Sequence, residues 1–377
     1  MNLPFQTPAW DKTHAEAMRA WQLRRLRRYL ATRVLPFSAH YHRVFLDQGL
    51  HPEDIKTWDD WAKVPFSTKS NLTVPREQQR EFVLIPDEAK MRREPAVLFH
   101  ALTRGRAAAK DRVEDEFRPI LLTSTTGRSS EPVPFLYTKH DLRNLDITGR
   151  RIMEVGGSQR DFRHVNLFPY APHLAFWQTH HAGTAFGTFM ISTGGGKTLG
   201  TEGNLGIIDK IQPDIIIGMP TFIYHIMRLA IEDGREWPNL KRIVLGGEKV
   251  GEGLRARLLS LADKLGSKNP HVLSTYGFTE AKLAMSECPT HSGVAISGFH
   301  LSPDLGIIEL VDPKTGQPVA DGQPGEIVYT PLDARGTVVL CDRTGDIAEG
   351  GLTWEPCPNC GRRCPRLLGP ISRISEV

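Results

Sequence analysis

Residues 121–132 read LLTSTTGRSSEP, an apolar run that opens into six hydroxyl side chains around a single glycine. Hydroxyls and backbone amides in such a loop can cradle phosphate oxygens. Gly127 permits tight curvature and Arg128 adds a positive charge. Two other stretches end predicted strands with an acid: STYGFTE (274–280) in aromatic, glycine, threonine and acid, and RTGD (343–346) with its acid at the turn. The five cysteines are grouped: Cys357, Cys360 and Cys364 lie in CPNCGRRC, Cys288 lies in CPTH, and Cys341 stands apart. A CxxC with a distant CxxH is zinc-knuckle spacing, and zinc prefers thiolate and imidazole in a tetrahedron. Cys288, His291, Cys357 and Cys360 are the first choice of ligands. His300 could replace His291, Cys364 is a spare, and reduced unliganded thiols are the alternative.

Two further patterns carry less. STGGGKT (192–198) looks like a P-loop, but Ile191 stands where that motif needs its first glycine. The pair His180–His181 reads as packing and hydrogen bonding rather than as metal ligands.

The elements that must position these residues change character along the chain. Residues 11–60 read as helices, and 77–117 as a charged, helix-prone elaboration. From 119 onward, short β-rich runs (PILLTS, HVNLFPY, GTFMIST, DIIIGMP, RIVLGGE, HVLSTYG) alternate with helical stretches. Continuous apolar strands separated by helices imply a mostly parallel sheet covered on both faces. After 300 the strands LGIIELVDP, GEIVYTPL and GTVVLCDRTGD are joined by turns, as in a smaller antiparallel sheet. The expected division is a helical segment at 1–76, a helical insertion at 77–117, an α/β core at 118–300 and a β-rich subdomain at 301–377.

With 377 residues, 40% of them hydrophobic and 24% charged, the composition is that of a soluble α/β protein with more than one packed region. No apolar run is long enough for a membrane span, and MNLPFQTPAWDK lacks a secretory pattern, so the expected location is the cytoplasm. Net charge is only +4. The arginines of RAWQLRRLRRYLATR alternate with Leu23, Leu26 and Leu30 at helical spacing, which suits a helix packed on the body better than a nucleic-acid or membrane face.

Taken in order, the hydroxyl-rich loop, STYGFTE and RTGD resemble the motifs of the adenylate-forming superfamily, and the chain is most similar to phenylacetate–CoA ligases and their kin. The likeness extends to LRRLRRYLATRVLPFSAHYHRVFLDQGLHPEDIKTWDDWAKVPFSTKSNL, GGEKVGEGLRARL, DPKTGQPVADGQPGEIVYTPL and CGRRCPRLLGPISRISEV, whereas 77–117 looks like an insertion. It implies the fold of the large N-terminal domain of those enzymes. By the same resemblance, Thr123, Ser124, Thr125, Thr126, Gly127 and Arg128 hold the β- and γ-phosphates of ATP, with Ser124 standing where glycine is usual. Gly246, Gly247 and Glu248 line the adenine, Tyr276 stacks on it, and Gly277 belongs to the same site. Thr279 binds the α-phosphate, Glu280 holds Mg²⁺, and Asp346 and the hinge residue Arg373 reach the ribose.

The resemblance implies ATP-dependent activation of a carboxylic acid as acyl-AMP, followed by transfer to a thiol, coenzyme A first among them. The acid pocket falls on Phe168, Tyr170, His173, Phe176, Trp177 and Met219, walls that suit an aromatic or bulky hydrophobic acid. ATP and Mg²⁺ are the expected cofactors, with a structural Zn²⁺ on the cysteines. The family pattern continues past its hinge into a mobile C-terminal domain, whereas SRISEV reaches the hinge and stops, with Ser375 in place of an aspartate. Three readings follow: a truncated chain, a chain completed by a carrier or partner protein, or an acyl-protein synthetase that passes the acyl group to a cysteine such as Cys364. A catalytically impaired nucleotide-binding scaffold is a fourth. No nucleic-acid or membrane partner is expected, and family likeness suggests a homodimer through the N-terminal helices.

Overall fold

The apolar runs after residue 119 do form strands. The computed structural model describes residues 7–125, 131–291 and 294–374. β1 (Pro119–Ser124) pairs antiparallel with β2 (Pro134–Thr138) in a two-stranded ribbon. β3 (Arg163–Pro169), β4 (Phe189–Gly194), β5 (Ile215–Gly218), β6 (Arg242–Leu245) and β7 (His271–Phe278) are parallel, in spatial order β4-β3-β5-β6-β7. Helices join them, which is why β5, with sequence IIIG, is buried along its whole length. The strand order reverses direction between β3 and β5. A crevice therefore opens at the carboxyl ends of these strands, where such sheets bind ligands.

Beyond β7 the large sheet turns antiparallel through β8 (Leu283–Ser286) and β9 (Phe299–His300). The chain then builds a second sheet from β10 (Gly306–Val311), β11 (Gly325–Pro331) and β12 (Asp342–Ala348). β13 (Leu352–Thr353) and β14 (Arg366–Leu367) return to the edge of the large sheet beside β9. β15 (Ile371–Arg373) closes the small sheet against β12. The mostly parallel and the small antiparallel sheets are as expected. The boundary at 300 is not, because residues 301–377 contribute strands to both sheets.

Two helices cover the crevice. Lys139–Val155 begins with a capping box in which Thr138 and Asp141 bond each other's backbone amides. It packs so tightly on Leu174–Phe186 that a Cβ at Gly149 would lie 2.7 Å from the Ala182 Cα. At the N-terminus, helix Ala15–Tyr29 buries Met18, Leu26 and Tyr29, followed by Leu30, in a core shared with Val338, Val339 and Leu340. The insertion forms helices Glu88–Arg92 and Pro95–Phe117, the latter broken at Gly105 (φ 87°, ψ 165°).

Candidate active site

Strand β7 delivers Tyr276 and Gly277, and a single 3₁₀ turn, Thr279–Ala281, presents Thr279 and Glu280. In the small sheet, Asp346 on β12 stands directly opposite Arg373 on β15. Asp346 joins the two sheets. Its Oδ2 accepts from the Tyr276 hydroxyl at 2.8 Å, and its Oδ1 lies 3.0 Å from Arg373 Nε. The Tyr276 ring packs on Phe278 and Phe299, with centroids 5.6 and 5.8 Å away.

Glu280 sits in the same field. Burial pushes its carboxyl up and Asp346 adds to that, while Arg373 and Lys69 draw it down. At the start of β12, Asp342 is 2% exposed, and its Oδ2 has no hydrogen-bond partner among the described residues. Burial, then Glu280 and Glu326, push its carboxyl well above the ordinary carboxylate range. Asp342 is thus a buried acid with an unmet oxygen beside other carboxylates, a group that gains from a proton or a cation. Neither Asp342 nor Lys69 stands out in the sequence. Asp342 immediately precedes RTGD, and Lys69 lies inside PFSTKSNL, where the type of residue alone gives no signal.

The hydroxyl-rich loop is described in part. Thr126, Gly127 and Arg128 lie outside the described residues, as does Ser375. Thr123 faces inward: it is fully buried, and its hydroxyl donates to the Tyr137 hydroxyl at 3.3 Å. The amide of Ser124 donates to the Pro172 carbonyl at 2.6 Å, and the Ser124 carbonyl lies 3.0 Å from His173 Nδ1. Thr125 closes the loop on Val133 through its amide and its hydroxyl. Glu248 accepts from the amide and hydroxyl of Thr221, so it caps helix Pro220–Glu232. Gly246 admits no side chain, since a Cβ there would lie 2.5 Å from Thr275 Oγ1, and Gly247 has a φ of 83°.

Between the two covering helices and the large sheet lies a mainly apolar cavity of about 110 Å³, which ends on Gly246, Gly247 and Gly277. Of the six wall residues expected, Phe168 lines it. Phe176, Trp177 and Met219 pack in the cluster behind Phe168. Tyr170 is 56% exposed with its hydroxyl on the Ser192 carbonyl, and His173 is held by Ser124. The helix instead turns Leu174, Ala175, Gln178, Thr179 and Ala182 to the cavity, one face at i, i+4 and i+8. The aromatic residues of the same helix, Phe176 and Trp177, lie in the cluster behind Phe168.

Cys288, His300, Cys357 and Cys360 bring one ligand atom each to within 4.8 Å of one another. His291 does not take part. Its Nε2 lies 3.0 Å from the Asn359 carbonyl, so His300 replaces the first-choice histidine. The Cys288 and Cys357 sulfurs are 3.8 Å apart, too far for a disulfide and equal to the edge of a tetrahedron with metal–sulfur bonds of about 2.3 Å. His300 Nδ1 lies 3.2 Å from the Ser286 carbonyl, which leaves Nε2 for a metal. Cys364 stays outside the cluster, 1% exposed, its thiol pushed up to about 12 by burial. His181 pairs with Asp146 at 2.7 Å and His180 stacks near Phe176, in keeping with a packing role.

Comparison with known proteins agrees with this architecture. The family model for AMP-binding enzymes matches residues 151–331. A phenylacetate-coenzyme A ligase of Pseudomonas putida is 27% identical over 99% of this chain and 72% of its own length. Ligases of the same name from Aromatoleum evansii and Thermus thermophilus are 24% and 26% identical, each over 97% of this chain. Among solved structures, an open form of 2-hydroxyisobutyryl-CoA ligase in complex with 2-HIB-AMP and CoA superposes with a TM-score of 0.77. It is 18% identical, over 97% of this chain and 72% of the other.

Proposed function

We propose that this chain is an adenylate-forming enzyme of the phenylacetate–CoA ligase kind, which uses ATP to activate a carboxylic acid as its acyl adenylate for transfer to coenzyme A; the AMP-binding match and the similarity to phenylacetate-coenzyme A ligases support that reading. The observation that carries the reading is Asp346, held between Tyr276 and Arg373 beside Glu280, with an apolar cavity ending on Gly246 and Gly277 next to it.

The reaction joins two anions, because the acid's carboxylate must attack the α-phosphate of ATP while pyrophosphate leaves. Positive charge and hydrogen-bond donors must therefore face the α-phosphate. Thr279 supplies a hydroxyl, and Arg373 and Lys69 supply the charge felt at Glu280. Mg²⁺, when bound, would neutralise phosphate charge, and Glu280 with Asp342 would hold it. Asp346, already oriented, accepts from the ribose hydroxyls. The acid lies in the cavity between the helices, whose apolar walls exclude water and favour an aromatic or bulky hydrophobic acid. Coenzyme A is the better acceptor than Cys364, which is enclosed and whose raised thiol holds little thiolate near neutral pH. Zinc on Cys288, His300, Cys357 and Cys360 is structural, because the cluster leaves no open coordination position.

Calorimetric titration with ATP·Mg²⁺ tests the nucleotide site. Binding in the micromolar range that Glu280→Ala and Asp346→Ala each weaken about tenfold or more is the expected result. Unchanged binding in both variants would remove these residues from the site.

A further inference from the structure

A second crevice, of about 610 Å³, lies apart from the nucleotide and acid sites, and none of the residues assigned to either lines it. Its walls come from the N-terminal helices, the insertion helix Pro95–Phe117, helix Lys139–Val155 and residues 333–335. Six arginines face four carboxylates there, a net charge of +2 from those ten groups. The pairs are unevenly distributed. Arg25 meets Asp333 at 2.5 Å, and Arg33 and Arg335 share Glu116, each at 2.8 Å. Asp115 is held by Lys139 and Arg143. The insertion helix contributes the groups left over. Arg104 and Arg112 have no carboxylate partner among the described residues, and His100 Nδ1 is buried without a hydrogen-bond partner. Among these leftover groups Asp111 is the opposing charge, since Asp115 and Glu116 on the same helix are already paired.

We propose that this crevice binds a multiply charged phosphate anion of pyrophosphate size or larger. Unpaired guanidinium forks match phosphate oxygens two at a time, and their rigid geometry favours phosphate over a single dispersed charge. The orphaned His100 nitrogen gains a partner when such an anion enters. The volume exceeds what one phosphate fills, so two or more linked phosphates, or a phosphate carried on a larger molecule, are the class that fits. The break at Gly105, at a φ of 87° that other residues rarely adopt, separates the half-helix carrying His100 and Arg104 from the half carrying Arg112.

The test is calorimetry with pyrophosphate in magnesium-free buffer, on protein preloaded with one equivalent of a non-hydrolysable ATP analogue. Wild type should bind one further pyrophosphate, with an affinity that falls steeply as salt rises. The double variant Arg104→Ala/Arg112→Ala should lose at least about tenfold in that affinity. Both arginines are exposed, so the variant keeps the fold, which far-UV circular dichroism would verify. Absence of the additional binding event in wild type, or equal affinity in the double variant, overturns the inference. Adenosine 3′,5′-bisphosphate titrated in parallel separates the sources. Tighter binding than pyrophosphate points to a phosphate carried on a nucleotide, and weaker binding to the free anion. A protein that binds pyrophosphate but not the ATP analogue keeps this inference and loses the nucleotide-site reading.

Discussion

Asp346 has both carboxylate oxygens engaged by protein donors, so its position does not depend on a ligand to fix it. Ala284 acts by its size. It faces Gly277 across β7 and β8, where a Cβ on the glycine would lie 2.7 Å away, and both line the apolar cavity proposed for the acid. Ala284→Leu should therefore obstruct the acid and leave the nucleotide alone. In acid-dependent ATP–pyrophosphate exchange, kcat/KM for the acid should fall about tenfold to a hundredfold with ATP affinity unchanged. An equal loss for ATP would place the cavity's role elsewhere. Cys364→Ala should leave acyl transfer unaffected, read as labelled acid retained on the denatured protein. Loss of a label that wild type carries would restore the cysteine-acceptor reading. At this scale the fold brings Asp346 and Glu280 into one field, and the acids that end RTGD and FTE could be singled out in the sequence. The Thr123 hydroxyl could not, since only packing decides that it turns to Tyr137.

The strands beside the Cys/His cluster at the edge of the large sheet are very short. β9, β13 and β14 have two residues each, so their hydrogen bonds alone cannot hold the edge. Cys288 follows β8, His300 lies in β9, and Cys357 and Cys360 lie between β13 and β14, so one ion would tie this edge together. Wild type should carry about one zinc per chain by elemental analysis. Cys360→Ser should lose it and lower Tm by roughly 5–10 °C, with ATP affinity changed less than about twofold. Zinc retained in Cys360→Ser would exclude the ligand set. Here too legibility follows physics. The parallel strands β3–β7 are apolar runs of four to eight residues that the sequence displays, whereas a two-residue strand has no periodicity to detect. Its presence was signalled only by the cysteine spacing, and the choice of His300 over His291 required the register that places β9 beside β14.

Across the molecule, the N-terminal helices and the segment 333–341 are one packed unit despite some 300 residues of separation. Tyr41 lends its hydroxyl to the Leu340 amide at 2.6 Å, and Tyr29 donates to the Ala334 carbonyl. Asp333 is the ionic counterpart. It meets Arg25 at 2.5 Å and His140 Nε2 at 2.8 Å, which joins the N-terminal helix to helix Lys139–Val155, a wall of the apolar cavity. Burial alone would raise its carboxyl, but the His140 hydrogen bond and the charges of Arg335 and Arg25 outweigh it and hold the group at about 2. A carboxylate depressed on folding stabilises the fold above its ordinary value, near 3.8, and loses that contribution as pH falls toward 2. The depression corresponds to about 2 kcal/mol at neutral pH. In urea unfolding, Asp333→Asn should be less stable than wild type by about that amount at pH 7. The gap should narrow steadily below pH 4, because wild type then becomes as uncharged at this position as the variant. A gap that persists undiminished at the acid end would mean that Asp333 acts through shape and hydrogen bonding rather than charge.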